Sequence, residues 1–510
     1  MTAFLDAMTR VPDLLAAHLL LAASALLLGL AISLPLAILS ARRPTVARVA
    51  LGFASLIQTI PSLALLALFY PLLLSLSALV GGGIPALGFL PSLLALTLYA
   101  LLPILRNGVT GLNGIDPAVL EAADGVGMTS WQKLRLVEAP LVAPVLMAGI
   151  RTAAVWTIGA ATLSTTVGQP SLGDMIFSGL QTQNWALVLA GCVSAAGLAL
   201  AVDALLGLIE HGIRRRRRLP VVAAGITLLV GVALALVPSW PHSEPEITIG
   251  AKDFSEQFIL ARLIGQRLEH EGYRVRYREG LGSAVQFGAV ASNDVDISID
   301  YSGTIWTNQM RRTDTPDAAT MLAEIARWSA REHHIRMFGA LGFENAYAFA
   351  MRGDVARARG VSSLEDLVRT GPRLNFGADL EFLERPEWAA VKRAYPISFA
   401  SAHAYNPTFM YRALDSGQAD VISAFSSDGR IAAQHLIVLA DPRHAIPHYD
   451  AILMIDPKHA HDAKLLHVLQ PLLGRIPVEA MREANYRVDR DTDKDSPEAA
   501  ARWLAKRVGL

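Results

Sequence analysis

The chain has 510 residues, of which 52% are hydrophobic and only 18% charged, and its 45 basic side chains balance 45 acidic ones. A net charge of zero gives no electrostatic reason to expect nucleic acid as a partner. The single cysteine, Cys192, excludes an intrachain disulfide and a cysteine-based metal site. No Gly-x-x-x-x-Gly-Lys-Ser/Thr occurs, so the chain has no P-loop with which to hold ATP.

The charge deficit lies in the first 240 positions. Leu14 to Ala41 carries no formal charge and ends at Arg42-Arg43, which predicts a transmembrane helix running from outside to inside. It is longer than the core of a signal peptide. No residue between Arg48 and Arg106 is charged, and Gly81-Gly82-Gly83-Ile84-Pro85 divides that stretch into expected spans at 50–78 and 88–105. Residues 107–140 turn polar, as a cytoplasmic loop should, and a fourth span is expected at 141–166. The segment 167–183 is too polar to cross and belongs outside. A fifth span, 184–209, ends near Arg214-Arg215-Arg216-Arg217-Arg218, and the uncharged run Leu219 to Val237 supplies a sixth that leads out. Six spans put every arginine cluster inside.

Three parts follow: an all-α transmembrane domain at 1–212, a basic anchor with linking helix and short linker at 213–245, and an extracytoplasmic domain at 246–510. Arg151 and Asp203 fall in or near spans, where charge needs a partner or water. They could line a path across the membrane, but a structural pair is the favoured reading.

Beyond Glu246 the pattern becomes β-α-β-α-β. Strands are expected at Ile247–Gly250, Arg274–Tyr277 and Asp296–Tyr301, with helices after Ser255 and near 283–292. Later strands are expected near 346–351, 373–377, 397–400, 420–425 and 436–440, and helices near 362–369, 383–394, 407–416 and 462–473. That many strands imply an α/β domain of two lobes with a cleft. His333, His334, His403, His444 and His448 lack metal-ligand spacing, and no nucleophile–base arrangement suggests an enzyme.

In the polar loop, Asp116-Pro117 is a cap and first-turn proline for a short helix containing Glu121-Ala122-Ala123, with Gly127 as a turn residue. With Trp131-Gln132-Lys133 and Glu138-Ala139-Pro140 it resembles the coupling loop of ABC-importer permeases. The likeness continues through Gly149–Trp156 and Leu172-Gly173-Asp174, and departs at Gly168-Gln169-Pro170-Ser171. It implies that Glu121, Ala122, Ala123 and Gly127 dock a separate cytoplasmic ATPase. It also implies a homodimeric permease spanning the lipid of a bacterial inner membrane.

The carboxy-terminal half resembles the binding proteins for glycine betaine, choline and carnitine through KDFSEQ (252–257), DYSGT (300–304), GFENAYAFA (342–350), FGADLEFLERPE (376–387), NPTFMYRAL (406–414), AFSSDGRI (424–431) and NYRVD (485–489). The resemblance implies a hinged two-lobed clamshell, lobe one 247–338 plus 426–510 and lobe two 339–425. It places an aromatic cage at Tyr301, Tyr347, Tyr405 and Phe425, with polar contacts from Gln257, Thr304 and Asn345. The expected function is a fused permease and receptor that imports a quaternary ammonium solute, without cofactor or metal. An ergothioneine importer of the same architecture is the alternative, and a ligand-gated receptor or channel built on the clamshell is another.

Overall fold

The computed structural model describes residues 2–81, 84–182, 184–236, 246–405, 407–490 and 492–510. It separates into a helical unit, built largely from residues up to 242, and an α/β unit from residue 243. The expected linker, Pro238 to Pro245, lies outside the described residues.

The helical unit comprises α1 (Val11–Arg42), α2 (Pro44–Thr59), α3 (Ser62–Leu79), α4 (Phe89–Asn113), α5 (Pro117–Gly125), α6 (Ala139–Ala161), α7 (Trp185–Arg214) and α8 (Arg218–Leu236). Among the described residues, five helical segments are long and apolar enough to cross a membrane, and α2 with α3 forms a pair bent by 103° that brings the number to six if it counts as one span. The central helix is α4, with 61% of its apolar window buried, against 17% for α7 and 11% for α8. Small buried residues on its neighbours, among them Ala25, Ala37 and Ala153, let α1 and α6 approach it closely.

The expectation of one continuous helix at 50–78 is corrected by the bend. Pro61 cannot donate to a helical ladder and disfavours the helical region for the residue before it, and Ile60 is extended at φ −76°, ψ 126°. A carbonyl released within a bilayer needs a partner. The hydroxyl of Tyr99 on α4 donates to Ile60 O and supplies it.

The polar loop forms as its sequence indicates. Asp116 accepts from Ala118 N at 2.9 Å to cap α5, and Pro117 occupies its first turn. Gly127 sits at φ +78°, where a side chain would be strained, and turns the chain toward the segment that Asp124 holds through Lys133 at 2.6 Å. Glu121 and Ala122 are exposed, Ala123 is buried, and Val126 and Trp131 stand clear of the surface at 73% and 67% exposure. Arg151 on α6 is paired, as favoured: it grips Asp203 of α7 with two hydrogen bonds and Glu210 with a third.

The α/β unit holds two five-stranded sheets. The first contains β1 (Glu246–Gly250), β2 (Arg274–Arg278), β3 (Ile297–Tyr301), β4 (Arg336–Glu344) and β10 (Asp450–Ile455) in the order β2-β1-β3-β10-β4. The second contains β5 (Tyr347–Arg352), β6 (Asn375–Asp379), β7 (Ser401–Tyr405), β8 (Val421–Phe425) and β9 (Leu436–Val438) in the order β7-β6-β8-β5-β9. β1, β2 and β3 run parallel, so the turns after β1 and β3 emerge at one edge. β3 is buried at every position.

The chain passes between the sheets after β4 and again after β9, so the second sheet runs from 347 to 438 rather than within 339–425. Two features hid this. β4 carries Gly339 and Gly342 at positive φ and pairs with β10 across register shifts, which blurs its alternation. β9 is only three residues long. Neither β4 nor β10 was anticipated, and the strand expected at 397–400 lies at 401–405.

Candidate functional site

The site lies where strand ends of the two sheets meet. After β1 the chain turns through Lys252, Asp253 and Phe254 before α9 (Ser255–His270) begins, which places the Phe254 ring beside Tyr301 at the end of β3. From the second sheet, Tyr347 opens β5 and Phe425 closes β8, directly opposite each other in the antiparallel register. Such cross-strand neighbours bring their side chains into contact, and these ring centroids are 5.1 Å apart.

Phe254 links the sheets. Its ring lies 6.2 Å from Tyr301 and 6.2 Å from Phe425, stacked at 26° and 3°. Tyr449 meets Tyr347 edge-on at 5.8 Å. Phe254, Tyr301, Tyr347, Phe425 and Tyr449 line one cavity that is partly open to solvent. Thr304 and Asn345 line it too. Of the expected residues, the structure therefore brings together Tyr301, Tyr347, Phe425, Thr304 and Asn345.

Tyr405 is not among the residues that line the cavity. It ends β7, the edge strand, separated from β8 by β6. At ~4.8 Å per strand it stands about 10 Å from Phe425 and about 15 Å from Tyr347 across the sheet. Its ring lies over Gly377 of β6, where an added Cβ would sit 3.1 Å from Tyr405 Cε2. Gln257 also lies outside the lining. It is fully buried behind Tyr301 and donates to the Tyr301 hydroxyl at 2.9 Å, while its own Oε1 accepts from Lys252 N at 3.3 Å.

Sequence reasoning missed Phe254, Tyr449, Arg385 and Glu256. Phe254 and Glu256 stand in KDFSEQ and Arg385 in the FLERPE stretch, so their motifs were visible and their orientation was not. Tyr449 stands in no motif.

Glu256 is buried and joins three segments of the α/β unit. One carboxylate oxygen accepts from the Tyr301 hydroxyl at 2.6 Å and from Asn345 Nδ2 at 3.0 Å. The other accepts from Asn485 Nδ2 at 3.0 Å, on α10 (Val478–Asp489). Burial pushes its pKa up, against the pull of these hydrogen bonds.

Both cations at the cavity are held by acids. Lys252 Nζ is 2.7 Å from Asp300 and 5.2 Å from the centre of the Tyr301 ring. Arg385, 5.3 Å from the centre of the Tyr347 ring, pairs with Glu381 at 2.5 Å and Glu387 at 3.3 Å. Arg385 Nε is buried without a hydrogen-bond partner. Burial holds the hydroxyls of Tyr301, Tyr347 and Tyr449 well above their usual pKa, so they stay protonated. Asp379, also in the lining, is pushed up to about 6 by burial. The arrangement offers ring faces and surplus negative charge, with few free donors.

Comparison with known proteins places these features. Residues 245–506 match the family described as the substrate binding domain of ABC-type glycine betaine transport systems. Residues 33–215 match the inner membrane component of binding-protein-dependent transport systems. The ergothioneine transport permease/ergothioneine binding protein EgtU of Helicobacter pylori (strain G27) is 28% identical over 479 residues, 90% of this chain and 83% of that protein. The carnitine transport permease protein OpuCB of Listeria monocytogenes is 43% identical over 194 residues, covering 38% of this chain and 84% of its own. The carnitine transport binding protein OpuCC of Listeria monocytogenes serotype 1/2a (strain 10403S) is 30% identical over 253 residues, 48% of this chain and 82% of its own. The chain belongs to the ABC-type glycine betaine transport family, as an importer's membrane permease and its substrate-binding domain fused in one polypeptide.

Proposed function

We propose that the α/β unit captures a quaternary ammonium solute outside the cell, and that the helical unit, paired with a second copy of itself and driven by a separate ATPase, carries it in. The supporting observation is the set of five rings around one cavity. A trimethylammonium group donates no hydrogen bond, so ring faces and diffuse negative charge are what hold it, each face contributing about 0.5–2 kcal/mol.

Sidedness follows from the arginine clusters. With α2 and α3 together making one broken crossing, Arg42-Arg43, Arg106, the loop around α5 and Arg214–Arg218 all fall inside, and the α/β unit falls outside. Counting the bent pair as no crossing would put α5 on the wrong face for an ATPase. Glu121, Ala122, Ala123 and Gly127, with exposed Val126 and Trp131, form the proposed ATPase dock.

Calorimetry of the full-length protein in detergent tests the ligand class, using glycine betaine, choline, carnitine, proline betaine and ergothioneine. Saturable binding of at least one is expected, weakened by about 2-fold to about 30-fold or more in Tyr347→Ala. Failure of the whole panel, or unchanged affinity in Tyr347→Ala, would refute the reading. The end-to-end match with an ergothioneine transport protein favours ergothioneine within the panel.

A further inference from the structure

The charged residues within the helical unit do more than pair. Arg151 Nε and Nη2 donate to Asp203 Oδ1 and Oδ2 at 2.9 and 2.8 Å, and Nη1 donates to Glu210 Oε2 at 2.8 Å. Two carboxylates against one guanidinium leave one net negative charge. The three side chains remain 34%, 32% and 21% exposed. Arg151 and Asp203 border an open groove between α6 and α7, which Ala148, Thr152, Trp156 and Leu200 also line; Glu210 stays outside the lining and meets it only through Arg151. Trp156 is 52% exposed there.

Depth follows from helix geometry. Both the start of α6 and the end of α7 lie on the arginine-rich side. At ~1.5 Å per residue, Arg151 is roughly 18 Å along α6 from that side and Trp156 roughly 26 Å. On α7, Asp203 lies roughly 16 Å and Glu210 roughly 6 Å from the same end. A partly exposed charge cluster at such depth does not face acyl chains, because ionised groups in hydrocarbon are strongly disfavoured, so it faces water, a polar occupant or the second copy of the helical unit. From the outer side inward the groove presents an indole face and then the Asp203 carboxylate, with Glu210 bonded to the far side of Arg151.

We propose that this groove is a second binding station for the transported cation. Trp156 receives the methylated ammonium, and the net-negative Arg151–Asp203–Glu210 cluster draws it further in. The inference rests on the quaternary ammonium reading above. Arg151 has a clear part, since two unneutralised carboxylates would bind a cation too firmly to release it, and a conducting site must let its occupant leave.

The test uses full-length Trp156→Leu and Trp156→Phe, each reconstituted with the ATPase partner in proteoliposomes. Calorimetric affinity for the best ligand is expected to equal wild type in both, because the ring cage is untouched. Transport at saturating ligand should fall about tenfold or more in Trp156→Leu and stay within about threefold of wild type in Trp156→Phe, since phenylalanine keeps an aromatic face. Normal binding with unimpaired transport in Trp156→Leu would overturn the groove alone, as would equal losses in both variants. Absence of quaternary ammonium binding by wild type would overturn the functional reading and the groove with it. A second measurement does not depend on Trp156. In a Cys192→Ser background, Ala199→Cys on the groove wall should react with a cationic thiol reagent from water and be protected by ligand. An inert cysteine, covered by lipid or a second copy, would overturn the proposal.

Discussion

Replacing Phe254 by leucine separates cation–π attraction from simple packing. Phe254 is half-buried, stacks on Tyr301 and Phe425 at 6.2 Å each, and is the ring that joins the two sheets' contributions. Leucine keeps most of the apolar bulk and removes the quadrupole. One ring face contributes about 0.5–2 kcal/mol to a bound ammonium, so the dissociation constant should rise between about 2-fold and about 30-fold. The assay is calorimetry on the full-length protein with two ligands of equal shape: the best quaternary ammonium, and its tert-butyl analogue in which carbon replaces the charged nitrogen. The cost should appear for the cation and vanish for the analogue. Equal losses for both would show that Phe254 acts by shape alone and would refute the cage argument.

Three further outcomes are expected. Tyr301→Phe keeps the ring but removes the donor to Glu256 and the acceptor for Gln257, so thermal unfolding should show a loss of about 1–3 kcal/mol, with a smaller change in affinity than Phe254→Leu gives. Asp379 titrates near pH 6 in the folded protein against an ordinary value of 3.8, because burial favours its protonated form. Its stabilising contribution is therefore complete below about pH 4 and is lost as pH rises through 6. Asp379→Asn should thus be more stable than wild type by about 1–3 kcal/mol at pH 8 and equal to it near pH 4, read from melting curves at both. A constant difference across that range would contradict the assignment. Trp131→Ala, at an exposed position beside α5, should leave ligand affinity and melting unchanged while weakening co-purification of the ATPase partner; normal ligand-stimulated ATP hydrolysis would remove Trp131 from the dock.

Much of this architecture was legible because it depends on local chemistry. Hydrophobic runs of about 20 residues between arginine clusters specify crossings whatever their neighbours do, and Asp116-Pro117 and Gly127 specify a short capped helix and its turn through their own backbone preferences. The motifs around Tyr301, Tyr347 and Phe425, which hold three of the five rings that line the cavity, were legible for the same reason, since each closes or opens a strand whose pattern can be seen. The break at Pro61 was written in the sequence but had no visible consequence until Tyr99 was found bonding the released carbonyl. Three-dimensional placement decided the rest. Tyr405 and Phe425 both end strands of one sheet, yet strand order puts Tyr405 at the edge, and strand order is set by contacts between residues far apart in the chain. Phe254, Tyr449, Arg385 and Glu256 enter the site only because β1, β3, β5, β6, β8 and β10 converge there. Composition and periodicity report what a segment can form on its own, whereas convergence is a long-range packing outcome that no single segment encodes.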